Sequence, residues 1–220
     1  MVRVLADGYP PVVLDEVAVK QAATNGHLDL LQWMHHRIGA VCSEAGKLWK
    51  LLYSSDTIAL AAGRGHLAVV EWLVRARGGE CSAAPLHQAA RSGRLEVVQW
   101  LYDNSGCIIL PRAMDEAAAC GHLQVFLHEN RDEGYTSRAL DAAAARGDFA
   151  MLEWLREHPR ESCSPQASLF AIAHDHIEVL QWLREHFPNT LAGAEDLYGT
   201  AQYFGRVHIL AYLDGAWVFA

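Results

Sequence analysis

The sequence predicts an all-α fold, a solenoid of about seven helix-turn-helix repeats with short connecting loops, and three observations predict it. A version of Ala-Ala-x-x-Gly-His-Leu-x-x-Val-x-Trp-Leu recurs, centred on Gly26, Gly65, Gly93, Gly121, Gly147, Asp175 and Gly205. The steps between these anchors are 39, 28, 28, 26, 28 and 30 residues. Such a period marks a stacked array, because one unit of that size cannot bury its own apolar face without a neighbour. The third observation is composition: 220 residues at 51% hydrophobic content can fill a large core and are too apolar for native disorder.

The unit is clearest in the third copy. Pro85 suits the first turn of a helix, where its missing N–H has no intrahelical acceptor. Leu86, Ala89 and Ala90 follow at i, i+3 and i+4 on one face, and the small alanines let a neighbouring backbone approach. Gly93 ends this helix by taking positive φ. A second helix starts near Leu95 and is expected to bury Leu95, Val97, Val98, Trp100 and Leu101, leaving Glu96 and Gln99 in solvent. An apolar arc so wide fits a helix held between neighbours on two sides.

Along the chain, Met1 to Leu14 is broken by Asp7, Gly8, Pro10 and Pro11, so no secretory leader is expected there. The first copy carries Trp33 seven residues after its anchor. The long step to the second copy is filled by residues 43–53, whose Leu48, Trp49, Leu51 and Leu52 predict an inserted helix. Copies two and three follow with Trp72 and Trp100. The fourth is two residues short after Gly121, which predicts a local break in its second helix. The fifth carries Trp154, and the sixth Trp182 with Asp175 in the glycine slot, where Asp tolerates positive φ better than most residues. The last has Tyr212 and ends in the apolar run Ala216-Trp217-Val218-Phe219-Ala220. That tail either folds back over the last unit or joins it to further repeats or to another copy, since terminal repeats turn a polar face outward.

The repeat from Ala84 to Leu101 resembles the ankyrin motif T-P-L-H-x-A-A followed by G-H-L-E-V-V, and the resemblance extends from about Val17 to Leu213. It implies a single ankyrin-type domain over 1–220, a stack of helix pairs that binds another protein and has no catalytic activity or cofactor. Ankyrin units run to about 33 residues, so the shorter step here predicts that the β-hairpin between units is reduced to a loop. Partner contacts in that family come from the first helices and the loops between repeats. Mapped onto this chain, those slots hold His87 and Arg91, then Arg112, Asp115 and Glu116, then Arg138 and Asp141. On this reading, charge reversal at Asp115 and Asp141 weakens partner capture and spares the fold.

Other chemistry finds less support. Net charge is -8, from 18 Lys and Arg against 26 Asp and Glu, with no basic cluster, which argues against a nucleic-acid partner. No apolar run approaches the roughly 20 residues of a membrane span, so an intracellular protein of cytoplasm or nucleus is expected. Cys42, Cys81 and Cys163 fall in phase, nine residues after the repeat tryptophan, and are read as small buried apolar groups. His27, His66, His122 and His176 share one slot that holds Arg94, Asp148 or Arg206 elsewhere, a substitution pattern suited to a turn and not to catalysis. His128, His158 and His186 fall near helix C-termini, where positive charge complements the dipole. His174-Asp175-His176 is the best metal candidate and lacks a third ligand at a recognisable spacing. The tryptophans could stack on bases, but their period and apolar neighbours favour core packing.

Overall fold

A computed structural model describes residues 2–4, 12–41, 52–79, 81–105, 111–122, 135–158 and 163–217. The chain divides into two compact units, Met1–Ala113 and Met114–Ala220. The first contains strands β1 (Val2–Val4) and β2 (Val12–Leu14) and helices α1 (Glu16–Thr24), α2 (Leu28–Val41), α3 (Ser55–Arg64), α4 (Leu67–Ala76), α5 (Ala83–Arg91) and α6 (Leu95–Ser105). Helix α7 (Pro111–Ala119) carries the division. The second contains α8 (Ser137–Arg146), α9 (Phe149–Glu157), α10 (Pro165–Ala173), α11 (Ile177–His186), a 3-10 turn at Pro188–Thr190, α12 (Ala194–Tyr203) and α13 (Val207–Trp217).

The fold is the α-solenoid class the repeats predict, with one addition. The two strands pair antiparallel, Val2 opposite Leu14 and Val4 opposite Val12, and β1 packs on α2. They lie ahead of the first repeat, where helical periodicity carries no information. Among the described residues, the connections between repeats contain no strand, as the short period requires.

First helices stack on first helices. In the first unit α1 packs on α3 and α3 on α5; in the second, α8 packs on α10 and α10 on α12. The alanine four residues before each anchor, from Ala22 through Ala61 and Ala143 to Ala201, is buried in all seven copies. A side chain that small lets the helix axes close up. The second helices α2, α4 and α6 pack along the first unit and meet their own first helices across each turn.

Every anchor is left-handed. The six glycines have φ between 66° and 81°, and Asp175 follows at 71°. The N–H after each anchor donates to the carbonyl of the alanine four residues before it, as in His66 to Ala61 at 3.1 Å and Arg206 to Ala201 at 2.8 Å. This is the helix-ending geometry that satisfies otherwise orphaned carbonyls.

Trp33, Trp72, Trp100 and Trp154 depart from the core packing expected of them. Trp72, Trp100 and Trp154 are half-buried and Trp33 is exposed, whereas Trp182 is buried. Three of the rings lie against side chains four residues on, and Trp72 and Trp100 meet His35, Tyr53 and Arg75 of the preceding segments. Trp154 stacks on His158 with centroids 4.4 Å apart, Trp182 on His186 at 4.7 Å, and Arg37 lies over Trp33. Leu95 is likewise half-buried, and the core of α6 is Val97, Val98 and Leu101.

Cys163 is buried, its thiol pushed up from the usual range by that burial, while Cys81 is half-buried. Of the inserted segment 43–53, Leu52 and Tyr53 are described and both are buried. Tyr53 packs edge-on against Trp72 at 5.3 Å. Residues 43–51 of the predicted insertion, the second helix of the fourth copy and the side chains of the apolar tail lie outside the described residues.

Candidate partner-binding surface

Two sets of residues build the surface: those that hold each turn in place and those the turns leave facing solvent. The side chain after the anchor reaches back across the preceding turn. His66 meets the carbonyl of Thr24 through Nε2 at 3.0 Å, Arg94 donates from Nε to Gly63 at 3.4 Å, and Arg206 donates from Nη2 to Ala173 at 2.6 Å. In all three the acceptor lies two residues before the preceding anchor. The recurring histidine slot is therefore a latch between copies, and Arg fills it as well as His because the slot needs a long donor. In the fifth copy Asp148 caps its own helix through Met151 N at 3.2 Å, and Arg146 covers the Gly121 turn instead.

The latch gives the anchor glycine a second cause. A Cβ at Gly26 would lie 2.7 Å from His66 Nδ1, and one at Gly147 would lie 3.0 Å from His176 Cε1. Between the turns of the second and third copies a groove of about 360 Å³ opens, lined by Arg64, Arg94, Leu95 and Glu96.

A second slot escaped the sequence reading although its signal was present. Asp15, Ser54, Ser82, Thr136 and Ser164 each stand eleven residues before an anchor and each caps the following helix with its side chain. Capping satisfies free N–H groups at the helix start. Two of these caps are themselves gripped from the previous copy. Asp115 accepts from Thr136 N at 3.0 Å and from Thr136 Oγ1 at 2.7 Å, and Asp141 accepts from Ser164 Oγ at 2.7 Å. Ser168 takes a related role one position earlier in its copy, accepting from Ala192 N at 3.1 Å.

These bonds correct the expectation for Asp115 and Asp141. They stand 6% and 8% exposed, so neither belongs to a solvated face. Burial holds the Asp141 carboxyl above its usual range, against the opposing pull of the Ser164 bond. Charge reversal at either position is therefore a lesion of the fold and no clean probe of partner binding. Sequence alone does not distinguish an aspartate turned outward from one turned to the next cap.

The other predicted residues separate by exposure. Arg91 and Arg138 are exposed, and His87 and Glu116 are half-buried. The side chain of Arg112 lies outside the described residues. Nε2 of His87 is buried and meets no hydrogen-bonding group among the described residues. In the His174-Asp175-His176 sequence, the Asp175 carboxylate faces Arg206 Nε at 3.6 Å and His208 Nε2 at 3.2 Å. His158 and His186 direct Nδ1 at the carbonyls of Trp154 and Trp182, at 3.0 and 2.9 Å, near the helix ends.

What remains exposed on the first helices varies in chemistry from copy to copy. Nine residues before the anchor stand Asp56, Ala84, Arg138, Gln166 and Asp196; five before it stand Gln21, Leu60, Gln88 and Phe170. Every one of these side chains faces solvent.

Two family models match the chain. One described as ankyrin repeats (3 copies) covers residues 19–112, and one described as ankyrin repeats (many copies) covers residues 86–156. No curated protein matches it.

Proposed function

Because this chain belongs to the ankyrin repeat family, whose repeats serve generally as protein-interaction modules, we propose that it is a non-enzymatic scaffold or adaptor. On this reading it binds one protein partner through the exposed first-helix faces and neighbouring loops. The observation that carries the proposal is the division just described. On the first helices, residues that recur are consumed by packing, capping and latching, and residues that vary from copy to copy are left in solvent. Specific recognition needs a surface that differs along its length, and the exposed slots supply one.

Arg91, Arg138, His87 and Glu116 are the side chains we assign to that surface among those predicted, with Arg112 beside them in the sequence. The experiment is affinity capture from native lysate with mass spectrometry, repeated with Arg91→Glu and Arg138→Glu together. Loss of one specific partner at unchanged melting temperature supports the assignment; unchanged capture removes these residues from it.

No described helix is long and apolar enough to cross a membrane. We place the protein inside the cell, in cytoplasm or nucleus, on the same reading, and fluorescent tagging tests the placement. Net charge of -8 favours a protein over a nucleic acid as partner, and salt-sensitive RNA binding would reverse that choice. Elemental analysis of purified protein tests the alternative of a histidine-bound metal. We also read 1–220 as one repeat domain. Limited proteolysis that leaves the chain whole supports this, and release of two stable halves overturns it.

A further inference from the structure

The latch that joins successive copies is incomplete at both ends of the array. At the first copy its donor slot is His27, which is exposed. Four residues after that anchor stands Leu30, 41% exposed, although its counterparts Val69, Val97, Met151, Val179 and Ile209 are at most 1% exposed. Strand β1 packs on α2 and leaves this side chain open. At the last copy the matching acceptor is the carbonyl of Tyr203, two residues before Gly205. Among the described residues nothing lies within 4 Å of a Cβ placed on Gly205, whereas the same space at Gly26, Gly65 and Gly147 is filled by His66, Arg94 and His176. Around this uncovered turn Tyr203 is 83% exposed, Val207 74%, and Phe204 exposed beside them.

We propose that the first copy of one molecule docks on the last copy of another, head to tail, with His27 of the incoming molecule over Gly205 and donating to the Tyr203 carbonyl. The contact continues the interface already built between copies within each unit. The two ends are complementary and neither is self-complementary. One offers a ring N–H and an aliphatic side chain; the other offers a carbonyl and an apolar, largely aromatic floor. Pairing like ends would set donor against donor or acceptor against acceptor. A join between unlike ends leaves one end of each kind free at every step, so it extends into open chains or closed rings as concentration rises.

The interface is weaker than those inside the array. Three residues before the last anchor Gln202 is exposed, where earlier copies bury Ala or Ile. Tyr198, in a slot that is buried in every earlier copy, is half-buried and donates its hydroxyl to Asp214 at 2.9 Å. Polar groups on that face make the association reversible. This contact uses the turns and is separate from the exposed first-helix row assigned to a partner.

Sedimentation velocity of the 1–220 protein over a concentration series tests it, with Leu30→Glu blocking one end and Val207→Glu the other. The wild type should sediment faster as concentration rises, and each variant alone should stay monomeric. An equimolar mixture of the two should recover a dimer and nothing larger, because each supplies the end that the other lacks. A wild type that stays monomeric throughout overturns the proposal. So does association of Val207→Glu alone, which points to pairing of first copies, or of Leu30→Glu alone, which points to pairing of last copies or tails. A mixture that stays monomeric also overturns it. All these side chains are exposed, and melting curves matching the wild type establish that the variants fold. His27→Ala, which removes only the donor, should weaken association about tenfold, and unchanged association by that variant removes the latch from the contact.

Discussion

A methyl group added at Gly26 and one added at Gly205 meet different surroundings, although both backbones sit at positive φ, 77° and 66°. Both substitutions carry the left-handed strain of roughly 1–2 kcal/mol. Only the first also displaces a latch, since its Cβ would stand 2.7 Å from the His66 ring. Gly26→Ala should therefore cost about 1 kcal/mol more than Gly205→Ala by urea unfolding, the net worth of one hydrogen bond. Combining each with His66→Ala should erase the difference. Asp141 gives a second residue-scale prediction. Its folded pKa is raised by burial, so the folded state holds the proton more tightly than the unfolded chain does. Its contribution to stability is present in acid and declines as pH rises from the usual carboxylate range through the raised value. Asp141→Asn removes that slope, so the gap between wild type and variant should change with pH across this window and flatten above it.

Each first helix is held at its start by a cap and at its end by a left-handed turn, and the caps are not equivalent. Ser82 caps its helix through Ala84 N at 3.4 Å, whereas Thr136 caps its helix and is also bound twice by Asp115. Ser82→Ala should cost about 1 kcal/mol or less. Thr136→Ala should cost more, because it also strips a buried carboxylate of a partner. Between second helices the join is different in kind. Trp182 Nε1 donates to Glu153 at 2.6 Å, linking α11 to α9, and that bond is the main reason the Glu153 carboxyl sits below its usual range. Trp182→Phe should return the Glu153 titration, followed by carboxyl-carbon NMR, toward the ordinary value. Arg156 also holds Glu153 down, so part of the shift should persist.

Over the whole molecule, stability should accumulate copy by copy, since in a repeat array it is close to a sum of unit and neighbour terms. Truncation from the C-terminal end, one copy at a time, should lower the urea midpoint in steps; a single collapse on removing the last copy would show one indivisible core. Helix pairs, alanine stripes, left-handed anchors and even the Asp175 exception were legible in the sequence, because each follows from the conformational preference of a residue or from spacing within about ten positions. The cap slot was legible too, in the recurrence of Asp15, Ser54, Ser82, Thr136 and Ser164. What the tertiary structure decided is the use of the polar side chains. His66 reaches Thr24 across 42 residues, Arg94 reaches Gly63 across 31, and Asp115 reaches Thr136 across 21. A hydrogen bond between copies depends on where the neighbouring copy lies, and spacing within one repeat holds no record of that. For the same reason Asp115 and Asp141 read as solvated charges in the sequence and fold as buried acceptors, while Trp33, Trp72, Trp100 and Trp154 read as core and fold only partly covered.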